Sequence, residues 1–262
     1  GYLRWNNDNN AEGNEIGVEY YDGYQWYAYG EYTERSGSTS SAAVSYSAAF
    51  DGSGDYLEVP GPSSGWNFAS SENWTIELFV KDTGSSFNDT TLFEFYQHSG
   101  SVSKYTLRRS GSSYIFQEGT TTYLTHSGGW NAINDGAWHY IVIDSRTTGG
   151  STYWKMHLNG STVATHTFTS VHQAVKGDKL KIGANRSGSA GFTGNISNFR
   201  VTNSSLQPSP LPTPISALTT TSQGASTATV ELLMLSLNAV TPATAVRTPG
   251  PIVTYGNTAS SE

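Results

Sequence analysis

Cysteine is missing from all 262 positions, and Asp, Glu, Lys and Arg together supply only 13% of them. The first absence removes any disulfide framework, zinc–thiolate centre or thiol nucleophile. The second separates the chain from solvated disordered segments, which are rich in charge and poor in aromatics; here 33 residues are Phe, Tyr or Trp. No apolar run approaches the ~20 residues that span a bilayer, and no basic stripe exists, so neither a membrane nor nucleic acid is expected as a partner. The chain opens Gly1-Tyr2-Leu3-Arg4-Trp5, with no initiator Met and no basic stretch leading into an apolar one. A signal peptide is therefore not expected, and the sequence fits a processed product or a fragment.

What fills the chain is Ser, Thr and Gly, with 36, 31 and 28 positions. The net charge of −7 is uneven: residues 1–60 carry ten acids and two bases, and the remainder is close to neutral. Solubility accounts for the acidic portion before any functional patch does. Ile16 to Tyr21 and Tyr24 to Tyr29 flank Asp22-Gly23, a hairpin signal because both central residues of a type I′ turn need φ > 0. Beyond a Ser/Gly/Thr/Ala linker, Trp74 to Lys81 alternates so that Trp74, Ile76, Leu78 and Val80 share one face. About ten such segments run to Val201, separated by Gly, Asn, Asp and Ser clusters. With no helical apolar period among them, the spacing predicts an all-β, antiparallel two-sheet sandwich.

Asn159-Gly160 as a two-residue turn predicts the pairs Leu158–Ser161, Met156–Val163 and Trp154–Thr165 on the core side. Tyr153, Lys155 and His157 would then lie opposite His166, Ala164 and Thr162 on the other face. After Val201, prolines at 208, 210, 212 and 214 favour an extended strap, followed by one apolar run, Val230 to Leu237. That tail is expected to pack on the sandwich edge, on another subunit or on a following domain. The predicted organisation is a small N-terminal acidic β-hairpin unit (1–35), a sandwich (36–205) and a Pro/Thr-rich extended C-terminal arm with one apolar strand (206–262).

Several segments carry a resemblance. Residues 47–60 (SAAFDGSGDYLEVP), 73–80 (NWTIELFV), 135–142 (DGAWHYIV), 156–160 (MHLNG), 180–184 (LKIGA) and 192–201 (FTGNISNFRV) resemble, in order, the strand motifs of laminin G-like, concanavalin A-like jelly rolls. Outside that stretch, residues 1–6 (GYLRWN) and 18–26 (VEYYDGYQW) resemble a unit common in phage tail and capsid appendage proteins. Residues 206–218 (LQPSPLPTPISAL) and 231–238 (ELLMLSLN) are similar to the strap and strand that follow such jelly rolls in marine phage structural proteins. The asparagine-rich continuation of that pattern is replaced here by Thr241-Pro242-Ala243-Thr244. The resemblance implies a jelly roll displayed on a bacteriophage particle.

Concanavalin A-like folds also include glycoside hydrolases, which need two carboxylates ~5–9 Å apart with one kept protonated. No strand face carries the acids at i and i+2 or i+4 that those hydrolases use: Glu77 and Glu94 stand on different strands, Asp144 begins a turn, and Glu15 and Glu19 fall in the N-terminal hairpin. No enzyme is expected, since fold alone does not confer activity. Laminin G-like modules sometimes hold calcium on the loop rim, and Asp82, Asn88 and Asp89, or Asn131, Asn134 and Asp135, are candidate ligands. Turns favour the same residue types, so no metal site and no cofactor are assigned. Histidines 98, 126, 139, 157, 166 and 172 show no i,i+4 pair, which argues against zinc. Asn-x-Ser/Thr at 73, 88, 159, 195 and 203 arises readily in this composition, and no glycosylation is assigned.

Glycan binding needs exposed aromatics beside amides or carboxylates. Tyr153, His157 and His166 form one candidate platform, and Trp130 with Asn131 and Asn134 another, although aromatics in a sandwich also serve as core. Together these readings point to a virion structural protein, a capsid- or tail-associated appendage on the particle surface that binds host-surface polysaccharide. Its terminal arms would dock on other virion proteins or on copies of itself in a homo-oligomer. Trp5, Tyr21 and Trp26 at one end, and Leu232, Leu233 and Leu235 at the other, are the candidate assembly contacts. The alternative is a secreted bacterial glycan-binding or adhesion module, with a glycoside hydrolase behind it.

Overall fold

The computed structural model describes residues 2–6, 17–21, 26–28, 43–44, 46–61, 66, 73–85, 89–97, 102–172, 177–206, 210–236 and 245–261. The chain divides into Gly1–Ser38 and Thr39–Glu262. In the first unit, β1 (Tyr2–Asn6), β2 (Gly17–Tyr21) and β3 (Trp26–Ala28) form an antiparallel sheet in chain order. Tyr21 pairs with Trp26, so the two strands flanking Asp22-Gly23 pair with each other. The connection between them, and the side chains of Trp5, Tyr21 and Trp26 offered as assembly contacts, lie outside the described residues.

The second unit contains β4 (Ser47–Asp51), β5 (Tyr56–Pro60), β6 (Trp74–Asp82), β7 (Thr90–Gln97), β8 (Val102–Ser110), β9 (Ser113–Glu118) and β10 (Thr121–His126), then a short helix α1 (Gly129–Ile133). There follow β11 (His139–Thr148), β12 (Ser151–Leu158), β13 (Ser161–Phe168), β14 (Lys179–Ile182), β15 (Thr193–Thr202), β16 (Val230–Met234), β17 (Ala245–Arg247), β18 (Val253–Tyr255) and β19 (Ala259–Ser261). Two antiparallel sheets result. One is seven-stranded, in the order β10-β9-β8-β7-β14-β5-β18; the other is nine-stranded, running β13-β12-β11-β6-β15-β16-β17, with β4 on β15 and β19 on β4. The expected two-sheet sandwich is thus the observed fold.

Period-two alternation builds the core between the sheets. Trp74, Ile76, Leu78 and Val80 point inward as their spacing predicts, and meet Phe93, Phe95, Tyr105, Leu107 and Phe116 from the other sheet. Two glycines of the recognised motifs are required by close approach. A Cβ on Gly183 (φ +90°) would enter the Phe50 ring, and one on Gly194 (φ +142°) would strike the Lys81 carbonyl. The hairpin at Asn159-Gly160 forms with both residues at positive φ and pairs Leu158 with Ser161 as predicted. A bulge between Met156 and His157 then shifts the register, so Met156 pairs with Ala164 and Trp154 with His166. One extra residue moves every side chain beyond it to the other face, which overturns the predicted Met156–Val163 and Trp154–Thr165 pairs.

The tail packs on the sandwich edge, one of the three places expected for it, and it carries more strands than the single apolar one foreseen: β16 adds to β15, β17 to β16, β18 to β5 and β19 to β4. Leu232, Leu233 and Leu235 are at most 1% exposed, so they cannot serve as the assembly contacts expected of them. The apolar strand had an open edge of its own sheet to satisfy first. Between β15 and β16, the proline-rich segment lies across the outer face of the nine-stranded sheet. Leu206, Leu211, Leu218 and Ala225 pack there with Phe79, Tyr140, Val142, Val230 and Leu233 as a second core. Burying each Leu contributes about 1.5–3 kcal/mol, which offsets the ordering of the strap.

Polar side chains tie the strap to the sheet. Arg200 and Glu77 are both fully buried, and Arg200 Nε donates to Glu77 Oε2 at 2.6 Å. Arg200 Nη1 donates to the carbonyls of Thr219 (2.6 Å) and Ser222 (3.0 Å), while the Tyr140 hydroxyl donates to Glu77. Asn198 Oδ1 accepts from the Leu218 amide at 2.7 Å. At the strap's start, Asp144 Oδ1 accepts from Thr75 (3.1 Å) and Ser205 (2.9 Å). Burial pushes the Asp144 carboxyl up to about 6, against the pull of those hydroxyls and of the Lys155 and Arg146 charges.

Two outcomes follow for stability. Arg200→Ala leaves a buried carboxylate without its cation and is expected to cost about 3–5 kcal/mol in urea denaturation, with hydrogen exchange rising across 210–229. Replacing both partners by apolar residues (Glu77→Leu with Arg200→Met) should cost less than Arg200→Ala alone. For Asp144, the folded-state value of about 6 lies above its ordinary 3.8. Its contribution is therefore fully present below pH ~4 and lost as pH rises through 6. Asp144→Asn, which keeps the acceptor oxygen, is expected to gain about 1–3 kcal/mol on the wild type between pH 4 and pH 7.5, measured as the difference in urea midpoints.

Candidate functional site

The two outer faces of the sandwich differ. That of the nine-stranded sheet is largely roofed by the strap, whereas that of the seven-stranded sheet presents a row of polar side chains. Cross-strand pairing sets the row: Glu58 faces Lys181, Lys181 faces Glu94, Glu94 faces Thr106, and Thr106 faces Gln117. Each of these alternates along its strand with a core residue such as Leu57, Leu180, Phe93, Leu107 or Phe116, so inward packing is what aims the polar set outward.

Part of this face is a groove of about 660 Å³ whose lining includes Asp89, Glu94, Thr106, Arg108, Gln117 and Arg186. Glu94, 2% exposed, is its best-held group. Its Oε1 accepts from Ser103 Oγ (2.6 Å) and Arg186 Nη1 (3.2 Å), and its Oε2 from the Arg186 backbone N–H (2.9 Å). Lys181 Nζ donates to the Arg186 carbonyl at 3.0 Å, so the 185–190 loop is pinned from two strands. Arg108 bridges the groove, with Nη1 on Asp89 Oδ2 (2.9 Å) and Nε on Gln117 Oε1 (2.7 Å). The groove's two carboxylates and two guanidiniums therefore compensate one another.

Beside Glu58 on the same face, Tyr56 stacks on Tyr255 with ring centroids 4.3 Å apart, and Lys181 Nζ sits 4.1 Å from the Tyr56 ring. Burial raises the Glu58 carboxyl, but hydrogen bonds from Lys179 and Tyr96 and the Lys179 and Lys181 charges outweigh it and leave Glu58 below its ordinary range. Tyr96, buried and donating to Glu58, is pushed well up. Tyr255 is 38% exposed and gives the face an aromatic surface.

The residues expected to bind glycan are not brought together. Tyr153 is on the outer face of the nine-stranded sheet, opposite Arg146. His157 is 1% exposed and bonded through Nδ1 to Thr162, and burial lowers it to about 4, so it offers no surface. The bulge sends His166 to the opposite face of the hairpin, against Tyr123 and Phe168. Trp130 packs half-buried on the core under the Arg109 guanidinium. Asn134 donates to Asp82 and to the Gly84 carbonyl, and Asn131 alone of that trio is exposed.

The candidate calcium ligands are committed elsewhere. Asp82 takes Arg109, Tyr114 and the Gly84 N–H, Asp89 takes Arg108, and Asp135 takes His139 and the Ala137 N–H. Asn88 lies outside the described residues. Sequence reasoning weighed Glu94 only as a catalytic acid and did not single out Arg108, Gln117 or Arg186. The signal was the polar set at alternate positions of β7, β8 and β9, but only cross-strand register joins Glu94, Thr106 and Gln117 into one row, and only the fold brings the Arg186 loop onto it.

A family model described as the concanavalin A-like lectin/glucanases superfamily matches residues 51–210. No curated protein sequence matches the chain. Among solved structures, the fold is similar to a Bacteroides ovatus protein inferred to bind carbohydrate, with a TM-score of 0.56 at 14% identity, covering 84% of this chain and 60% of that one. Weaker likenesses are to the receptor-binding domain of botulinum neurotoxin D (TM-score 0.48, 14% identity, 62% of this chain and 41% of that) and to the LG1-3 region of the laminin α2 chain (0.42, 13%, 63% and 27%). At these identities the likeness is one of fold.

Glu94→Ala should release the 185–190 loop. Hydrogen exchange at Arg186 and Ser187 is expected to rise about tenfold or more, with a stability loss of about 1–3 kcal/mol. Unchanged protection there would mean that the carboxylate does not hold the loop.

Proposed function

Since this chain belongs to the concanavalin A-like lectin/glucanases superfamily, we propose that it is a glycan-binding module that lays a neutral oligosaccharide across the open face of its seven-stranded sheet. The carrying observation is the groove itself: hydroxyl, amide, carboxylate and guanidinium groups held in place by one another, with their charges balanced. Such a lining offers many hydrogen bonds to sugar hydroxyls and little net field to attract an ion. The stacked Tyr56–Tyr255 pair supplies an apolar surface for a pyranose ring on the same face. The inferred activity of the Bacteroides ovatus protein agrees with this reading.

The reading is binding without turnover. Glycoside hydrolysis calls for a protonated carboxyl beside a second carboxylate, whereas both groove carboxylates are committed to guanidinium partners. A surface polysaccharide of a host or neighbouring cell fits such a module. The virion reading rested on the resemblance of the two terminal regions to phage structural proteins, whereas the superfamily match over residues 51–210 supports a glycan-binding module, which therefore stands ahead of the virion appendage.

The test is a glycan microarray followed by calorimetric titration with the best neutral oligosaccharide. Gln117→Ala and Tyr255→Ala are each expected to weaken binding about tenfold with little change in melting temperature, and the sugar should be recovered uncleaved. Binding that both variants retain would move the site off this face, and no neutral ligand on the array would remove the proposal.

A further inference from the structure

Not all of the nine-stranded sheet's outer face is roofed. β11 and β12 pair so that Asp144 faces Lys155 and Arg146 faces Tyr153, on the side of the hairpin away from Trp154 and Met156, which belong to the core. These four residues and Thr148 line a hollow of about 320 Å³. A second hollow of about 370 Å³ shares Arg146 and Thr148 and continues along Asn73, Thr147 and Asn203 to Ser205. The two hollows adjoin at Arg146 and Thr148 and are taken together as one trough, with cations and an aromatic ring in the first and amides and hydroxyls in the second.

Its charge balance is unlike that of the groove. Arg108, Arg109, Lys179, Arg186 and Arg200 each have a carboxylate oxygen within 3.4 Å. Among the described residues, Arg146 and Lys155 make no such ion pair. The carboxylate between them, Asp144, is 4% exposed and turns its Oδ1 to Thr75 and Ser205. The trough keeps a net positive charge in a chain whose net charge is −7, and it keeps it on side chains that a ligand reaches.

We infer that this trough is a second ligand site, one that takes the anionic group of an acidic sugar, either a uronate carboxylate or a sulfate ester. The Arg146 guanidinium and the Lys155 ammonium are the donors for three-oxygen or two-oxygen anions. The Tyr153 ring, beside Arg146, offers an apolar face to the sugar that bears the anion. Asn73, Thr147 and Ser205 stand where the next sugar's hydroxyls would fall. The choice of a sugar rests on the glycan-binding reading above; the choice of an anion rests only on the unpaired cations.

The experiment titrates the whole chain separately with an oligogalacturonate, a sulfated galactan oligosaccharide and an uncharged galactan oligosaccharide, at low and at moderate salt. Tighter binding of at least one acidic oligomer than of the neutral one is expected, weakening as salt rises. Which acidic oligomer binds tells carboxylate from sulfate. The Arg146→Gln/Lys155→Gln double variant should lose about tenfold or more of that binding, and Tyr153→Ala a smaller part, while Gln117→Ala in the groove leaves it unchanged. Acidic and neutral oligomers binding alike, neither acidic oligomer binding, or acidic binding that survives the double variant would overturn the inference. Loss of neutral binding alone would count against the groove and not against this trough.

Discussion

Arg200 and Glu77 form an ion pair with no access to solvent, and that condition dictates much of the rest. A guanidinium and a carboxylate leave water only at the cost of several kcal/mol each, and the cost is tolerated only where nearly every remaining donor and acceptor finds a partner. Here Tyr140 satisfies one side of the carboxylate, while the carbonyls of Thr219 and Ser222 take the guanidinium. Those carbonyls belong to the strap, so the pair is compatible with burial only when the strap is down. Once it is down, Leu206, Leu211 and Leu218 close a second apolar layer over Phe79 and Val142. The sandwich in this way gains a third layer over its nine-stranded sheet and none over its seven-stranded one.

That asymmetry places the ligand surfaces. The sheet without a strap keeps its outer face in water, and its strands alternate between core residues and a polar row that ends in Arg108 and Gln117. The groove there is rigid because its polar groups hold each other: Glu94 fixes Arg186, Lys181 fixes the carbonyl of the same residue, and Arg108 joins Asp89 to Gln117. On the strapped side, the β11–β12 hairpin carries the trough, with Arg146 and Lys155 outside any ion pair among the described residues. A balanced surface and an unbalanced one on opposite sides of one domain are the basis on which a neutral and an anionic sugar are proposed as separate ligands.

The alternation of Trp74, Ile76, Leu78 and Val80, the turn at Asn159-Gly160 and the all-β sandwich were legible in the sequence, because each is set by period-two patterning or by local φ/ψ demand over a few residues. The superfamily was legible through the same short segments, whose glycines at 183 and 194 answer close approaches inside the fold. Less was legible of the surface. His157 and His166 look like neighbours on a strand face, yet one is buried and the other is turned to the opposite side by a single bulged residue. Leu232, Leu233 and Leu235 look like a sticky arm, yet they complete the sheet beside β15.

What the sequence determined by itself was where most of the sandwich strands run, which side chains of a regular strand such as 74–80 point inward, and that no cysteine chemistry is available, all properties of neighbouring residues. What only the tertiary structure decided was the partner of each strand: that 230–234 adds to β15, that Arg200 meets a carboxylate 123 residues away, and that Glu58, Lys181, Glu94 and Gln117 line up across four strands. Those pairings join residues far apart in the chain, and their register depends on bulges and edges whose energies are settled by packing, not by local preference.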